Sequence, residues 1–228
     1  MAAGSEDFAR ASRNPGFVQE FLQEIALPEG ASRIIYDPDG KEILAYFSEY
    51  HEKGLLHESE FASLKKDVEK TSNLKDTSLS FQTYLPRQLL GTGTCSPIFV
   101  SRSAFLNNST LPFFESALVD HEGQHTKDAR DGIMLEGELL DHSNIDSIGR
   151  RTEEYIFEVR GYMAQISKAK LHGLQNTPYY HLRWNTFMNL YQSLQFLADF
   201  PVSRFDAYAM QVTINYCAMF RIRNAVWA

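Results

Sequence analysis

Apolar residues recur at three- and four-residue intervals over the first 75 or so positions, alternate through a middle stretch, and return to the helical interval from about residue 109 to the end. In the first regime Asn14-Pro15 offers a cap and a first-turn proline to a helix carrying Phe17, Val18, Phe21, Leu22 and Ile25. Asp37-Pro38 predicts a second helix, with Ile43, Leu44, Phe47 and Tyr50 on one face and Gly54 as its stop. A β-hairpin at Asp39-Gly40 is the competing reading there. Ser59 predicts the cap of a third helix with Phe61, Leu64 and Val68. The polar stretch 71–76 reads as a loop, and divides a helical region packed on the core (1–75) from the remainder (76–228).

In the middle, Leu79, Phe81, Thr83 and Leu85 alternate with Ser80, Gln82 and Tyr84, which predicts a strand, and 97–102 predicts another. Gly91-Thr92-Gly93-Thr94 between them reads as a turn, because a lone GxG without a third glycine or a following GK[ST] does not build a phosphate loop. Beyond residue 109, Leu111-Pro112 opens a helix that Gly132 ends, and a second runs from about 150 to 171 with Gly173 past its end. Thr177-Pro178 starts a third, and Ser203 with Asp206 three residues on starts a fourth. The predicted fold is mostly helical α+β, a small antiparallel sheet preceding the helix opened at Leu111-Pro112 and a C-terminal helical bundle. The aromatic residues Tyr179, Tyr180, Trp184, Phe187, Tyr191, Phe196 and Phe220 are assigned to that bundle's core.

With 228 residues, 43% hydrophobic and 22% charged, the chain is large enough for a sizeable core and ordinary for a globular protein. A net charge of -7 argues against nucleic acid, and the densest basic pairs, Lys65-Lys66 and Arg150-Arg151, read as solvated helix faces. No apolar run of about 18 residues predicts a membrane span. The first eight residues have neither the basic nor the apolar part of a signal peptide, so the expected compartment is the cytoplasm. Cys95 and Cys217 have no CxxC partner, which excludes a cysteine zinc site; each reads as a small buried thiol, and a bridge between them stays open.

The chemistry concentrates in His121-Glu122-Gly123-Gln124-His125. Histidines four residues apart project from one helix face a turn apart, so two imidazoles can hold one zinc ion from a rigid element. Glu122 lies about 100° round the helix, placed to act as a base on a metal-activated water rather than as a ligand. The motif follows a predicted strand and precedes a helix that carries Glu158-Val159-Arg160-Gly161-Tyr162.

This arrangement resembles the zincin metallopeptidases whose third ligand is a glutamate. In that branch a second helix supplies a Glu with a small residue three positions on, which Glu158 and Gly161 match. The resemblance covers about 50 residues and implies Zn2+ bound by His121, His125 and Glu158, with Glu122 as general base and a peptide or protein substrate laid along an edge strand. Glu154, one turn earlier, is the rival third ligand, and Tyr162 is the chosen oxyanion donor with His142 as alternative. Two features depart from the pattern: Gly123 weakens the helix, and Lys127 stands where an apolar residue is usual. A di-iron helical bundle would need a second Glu-x-x-His, which the chain lacks. The non-enzymatic alternative is a helical interaction protein with a coincidental motif.

Overall fold

A computed structural model describes residues 4–73 and 81–224. Two helices, α1 (Ser5–Arg13) and α2 (Pro15–Glu24), lead into strand β1 (Ala31–Tyr36) and then into α3 (Lys41–Glu52) and α4 (Glu58–Asn73). Asn14 caps α2 through its side-chain oxygen, which accepts from the Gly16 amide at 3.1 Å. Asp37 does the same for α3, its carboxylate accepting from the amides of Glu42 and Ile43, so the Asp39-Gly40 hairpin does not form.

Strands β2 (Phe81–Thr83) and β3 (Ser96–Val100) follow. The predicted sheet is present, and its β2–β3 pairing is antiparallel. It also holds β1, paired in parallel with β3, where the helical reading of the first 75 residues placed no strand. The order is therefore β1-β3-β2: β3, expected at the edge, is central, and β2 is an edge strand beside the motif helix. Every residue of β3 is buried, as a strand covered on both sides must be. The division placed at residue 75 falls outside the described residues, but β1 lies before it and pairs with β3 beyond it. Phe8, Phe17 and Phe21 likewise pack with Ile98, Phe105 and Phe114 in one cluster, so the amino-terminal region completes the core.

Two short helices, α5 (Ser103–Asn107) and α6 (Leu111–Glu115), lead into a π-helical stretch, Ser116–Glu122, that continues without a break as α7 (Gly123–Asp131). Gly132 ends it at φ 75°, a left-handed turn closed by its amide on the Asp128 carbonyl. The Gly91 and Gly93 amides bond the carbonyls of Ala129 and Arg130 at 2.9 Å, so the GxG turn satisfies the open end of the motif helix. A hairpin absent from the sequence reading, β4 (Ile133–Leu135) and β5 (Glu138–Leu140), leads to α8 (Arg150–Lys168), α9 (Pro178–Leu197) and α10 (Arg204–Asn224). Helices α8 and α9 pack α10 and one another around Trp184, Phe187 and Tyr191. Phe196, expected in that core, is 67% exposed. Both thiols are free: Cys217 is buried as expected, whereas Cys95 is exposed. Among the described residues no helix is long and apolar enough to cross a membrane.

Candidate metal centre

Three donors converge where the motif helix meets α8. The Nε2 atoms of His121 and His125 lie 3.5 and 3.6 Å from the two carboxylate oxygens of Glu158. Ligands of a tetrahedral zinc at about 2.0–2.1 Å stand roughly 3.3 Å apart, so these separations already approach the edge of such a polyhedron. All three donor atoms fall within 4.8 Å of one another, and they form the one such group among the described residues. Glu154 is exposed and outside the group, which places Glu158 rather than its rival with the histidines. His142 turns away, its Nδ1 3.1 Å from the Leu90 carbonyl oxygen.

The local sequence explains how this geometry is held. A π stretch inside an α-helix is rare and is frequently found at functional sites. Here it carries Asp120, His121 and Glu122, all buried against neighbouring elements. From α8, Gly161 lets the His121 ring lie on bare backbone: a Cβ there would sit 2.9–3.0 Å from three ring atoms. The Tyr162 ring closes on His121 edge-on, at 4.5 Å between centroids. Arg160 grips buried Asp128 through two bonds of 2.6 and 2.8 Å, pinning α8 to the motif helix one turn from His125.

Both departures from the zincin pattern answer to the amino-terminal region. Gly123 leaves room for Pro28, which would lie 2.9 Å from a Cβ at that position. Lys127 pairs with Glu29 at 2.7 Å, and Arg130 joins the same carboxylate at 2.8 Å.

Glu122 stands beside the donors, 9% exposed, with Oε2 accepting from the Thr83 hydroxyl at 2.9 Å. Sequence reasoning missed Thr83; the contact spans 39 residues and depends on β2 lying at the sheet edge. A cavity of about 460 Å³ opens beside His125 and Glu158, walled by Leu64, Leu85, Leu90 and Phe157.

Burial opposes the charge on Glu158, but hydrogen bonds and charge from His121 and His125 prevail and hold its carboxyl far below the usual range. Burial also disfavours protonated His125, yet the Glu158 hydrogen bond and the charges of Glu122, Glu158 and Asp128 outweigh it and raise its pKa. Zinc and the proton compete for that imidazole, so the raised pKa makes the zinc affinity of the metal-free site start to fall at a higher pH than an ordinary histidine of pKa about 6.5 would set. Zinc affinity measured by chelator competition across a pH series checks this; an affinity flat down to the ordinary value would refute it.

The donor set fits zinc: two imidazoles, one carboxylate and no thiolate, with His125 and Glu158 lining the cavity. The His125 Nδ1 is buried without a hydrogen-bond partner. Compared with family models, curated proteins and solved structures, the chain gives no match, so the reading rests on these residues alone.

Proposed function

We propose that the protein is a zinc-dependent hydrolase of peptide or other amide bonds, with His121, His125 and Glu158 as metal ligands and Glu122 as general base. The observation that carries this reading is the convergence of both histidines on Glu158 with a fourth group, Glu122, buried beside them and free of any ion pair among the described residues. Three protein ligands leave a fourth position open, the arrangement of catalytic rather than structural zinc. Zinc bound there would polarise a carbonyl and make water acidic enough to attack at neutral pH.

Each remaining step belongs to the chain. Thr83 holds one Glu122 oxygen, and the other is left to take a proton from water and return it to the leaving amine. The outer edge of β2 offers backbone donors and acceptors to an extended peptide, and Thr83 brings that edge to the base. Tyr162, raised in pKa mainly by burial, keeps its proton at neutral pH and can donate to a developing oxyanion. The inferred setting is the cytoplasm, with a peptide or protein as substrate and with neither nucleic acid nor membrane as partner.

Protein purified without added metal or a histidine tag should carry about one zinc per chain by mass spectrometry, and Glu158→Gln should weaken its retention. Glu122→Gln should keep the zinc and lose about 10²–10⁴-fold of activity in a peptidase screen. No zinc after reconstitution would overturn the enzyme reading and favour a helical interaction protein. Full activity in Glu122→Gln would remove the base.

A further inference from the structure

The cavity beside His125 and Glu158 is far larger than an attacking water needs. Its volume is about 460 Å³, against roughly 30 Å³ for a water molecule, and it falls within the range of ligand pockets. Thr83, Tyr84 and Leu85, at the end of β2 and just beyond it, line the cavity together with those two metal donors. An extended peptide paired with β2 therefore runs past it, and can send in a side chain from beside the scissile bond.

The lining is of two kinds. Leu64, Leu85, Leu90, Ala129 and Phe157 are apolar, whereas Glu60, Arg87, Arg150, Glu153 and Glu154 carry charge. Arg87 is engaged on both sides: Nη2 bonds Glu153, and Nη1 lies 3.2 Å from the Asp146 carboxylate. Arg150 is 69% exposed and approaches Glu60 only to 3.9 Å, a contact of little energy.

Glu60 is the carboxylate left over. Its side chain is 19% exposed, and both its partners meet the same oxygen. The Tyr84 hydroxyl donates to Oε1 at 3.3 Å, and Arg150 stands off that atom too. No hydrogen bond or ion pair among the described residues reaches Oε2. Burial and the Glu60 charge raise the Tyr84 phenol above its ordinary pKa, so it brings no charge of its own. A mostly buried carboxylate held by one neutral hydroxyl and one distant cation has charge to offer an incoming cation.

We propose that this cavity is the specificity pocket of the centre and selects a lysine or arginine side chain next to the scissile bond, with Glu60 receiving its charge. This rests on the hydrolase reading above. Such a side chain buries its methylenes against Leu64, Leu85, Leu90 and Phe157 while its charged head keeps a polar partner. An acidic side chain would meet Glu60, Glu153 and Glu154, with both guanidiniums of the lining already beside carboxylates. A wholly apolar one would bury Glu60 against carbon.

The test uses the zinc-loaded full chain and three zinc-binding probes, the monohydroxamates of hexanoic, ω-aminohexanoic and adipic acids. Their chains match in length and end in a methyl, an ammonium and a carboxylate. Titration calorimetry gives each affinity for the unaltered protein, Glu60→Gln and Arg150→Gln, with zinc content determined for each. The ammonium probe should bind about tenfold tighter than the methyl probe, and the carboxylate probe weakest of all. Glu60→Gln should erase the preference for the ammonium. Arg150→Gln, a change at an exposed side chain, should widen it by removing the cation that shares Glu60. A methyl probe that binds tightest, equal affinities for all three, or an unchanged preference in zinc-replete Glu60→Gln would overturn the proposal while leaving the hydrolase intact. Absence of zinc from the unaltered protein would overturn the hydrolase reading, and this proposal with it.

Discussion

Gly161→Ala is expected to lower zinc affinity by about 10- to 100-fold while the metal-free protein keeps its fold. Glycine in a helix interior is destabilising by about 0.8–1.0 kcal/mol relative to alanine, so at most such positions the substitution would help. Here the new methyl would lie 2.9 Å from Cε1 and 3.0 Å from both ring nitrogens of His121. The ring cannot slide away freely, because Tyr162 covers it from the same helix and His125 lies 4.7 Å off. Metal coordination tolerates ligand displacements of about 0.2 Å, less than the few tenths the contact demands. The gain in helix propensity and the strain at His121 offset one another in the metal-free state, so the loss should concentrate in binding. Competition with a chromophoric chelator gives the affinity and thermal unfolding of the metal-free form gives the fold. An unchanged zinc affinity would show that His121 reaches the metal without the close approach Gly161 permits.

That glycine also marks how far the site was legible from sequence. The four-residue spacing of His121 and His125 and the Glu-x-x-Gly spacing of Glu158 and Gly161 are local, and helical geometry converts such spacings into faces. The structure gives the small residue its reason: it is the floor under the His121 ring. Thr83 left no such signal, because it reaches the centre across a tertiary contact: it meets Glu122 from a strand 39 residues earlier.

The fold divides in the same way. Helices announced by caps and prolines, at Asn14-Pro15, Thr177-Pro178 and Ser203, begin where their sequences predict. Strand β1 escaped notice because its pattern is irregular, with a register shift between Ala31 and Ile34 and only partial burial of Ile34, Ile35 and Tyr36. Its parallel pairing with β3 is a non-local choice that no turn residue encodes. Hairpin β4–β5 is two three-residue strands around Glu136-Gly137, both at positive φ, too short for alternation to register.

At Gly30 the amino-terminal loop lies backbone against backbone on the motif helix, and Gly30→Ala is expected to destabilise the protein by about 3 kcal/mol or more. Gly30 sits at φ +85°, where a side chain is strained whatever the space around it. Space is also lacking: a Cβ would lie 2.5 Å from the Thr126 carbonyl oxygen, 2.6 Å from its carbon and 2.8 Å from the Lys127 nitrogen. These are atoms of the motif helix itself, next to His125, and cannot rotate aside as a side chain would. The loop would have to lift, breaking the bond from the Thr126 hydroxyl to the Glu29 carbonyl at 2.9 Å and drawing Glu29 from Lys127 and Arg130. Gly54 supplies the control, since it has φ +70° but nothing within 4 Å of its missing Cβ. Gly54→Ala should therefore show the backbone strain alone, about 1 kcal/mol. For a chain of this size the Gly30 variant should melt about 6–12 °C lower, against about 2–4 °C for the control. Equal shifts would mean that the loop yields without loss and that the amino-terminal clamp contributes little to holding the motif helix in place.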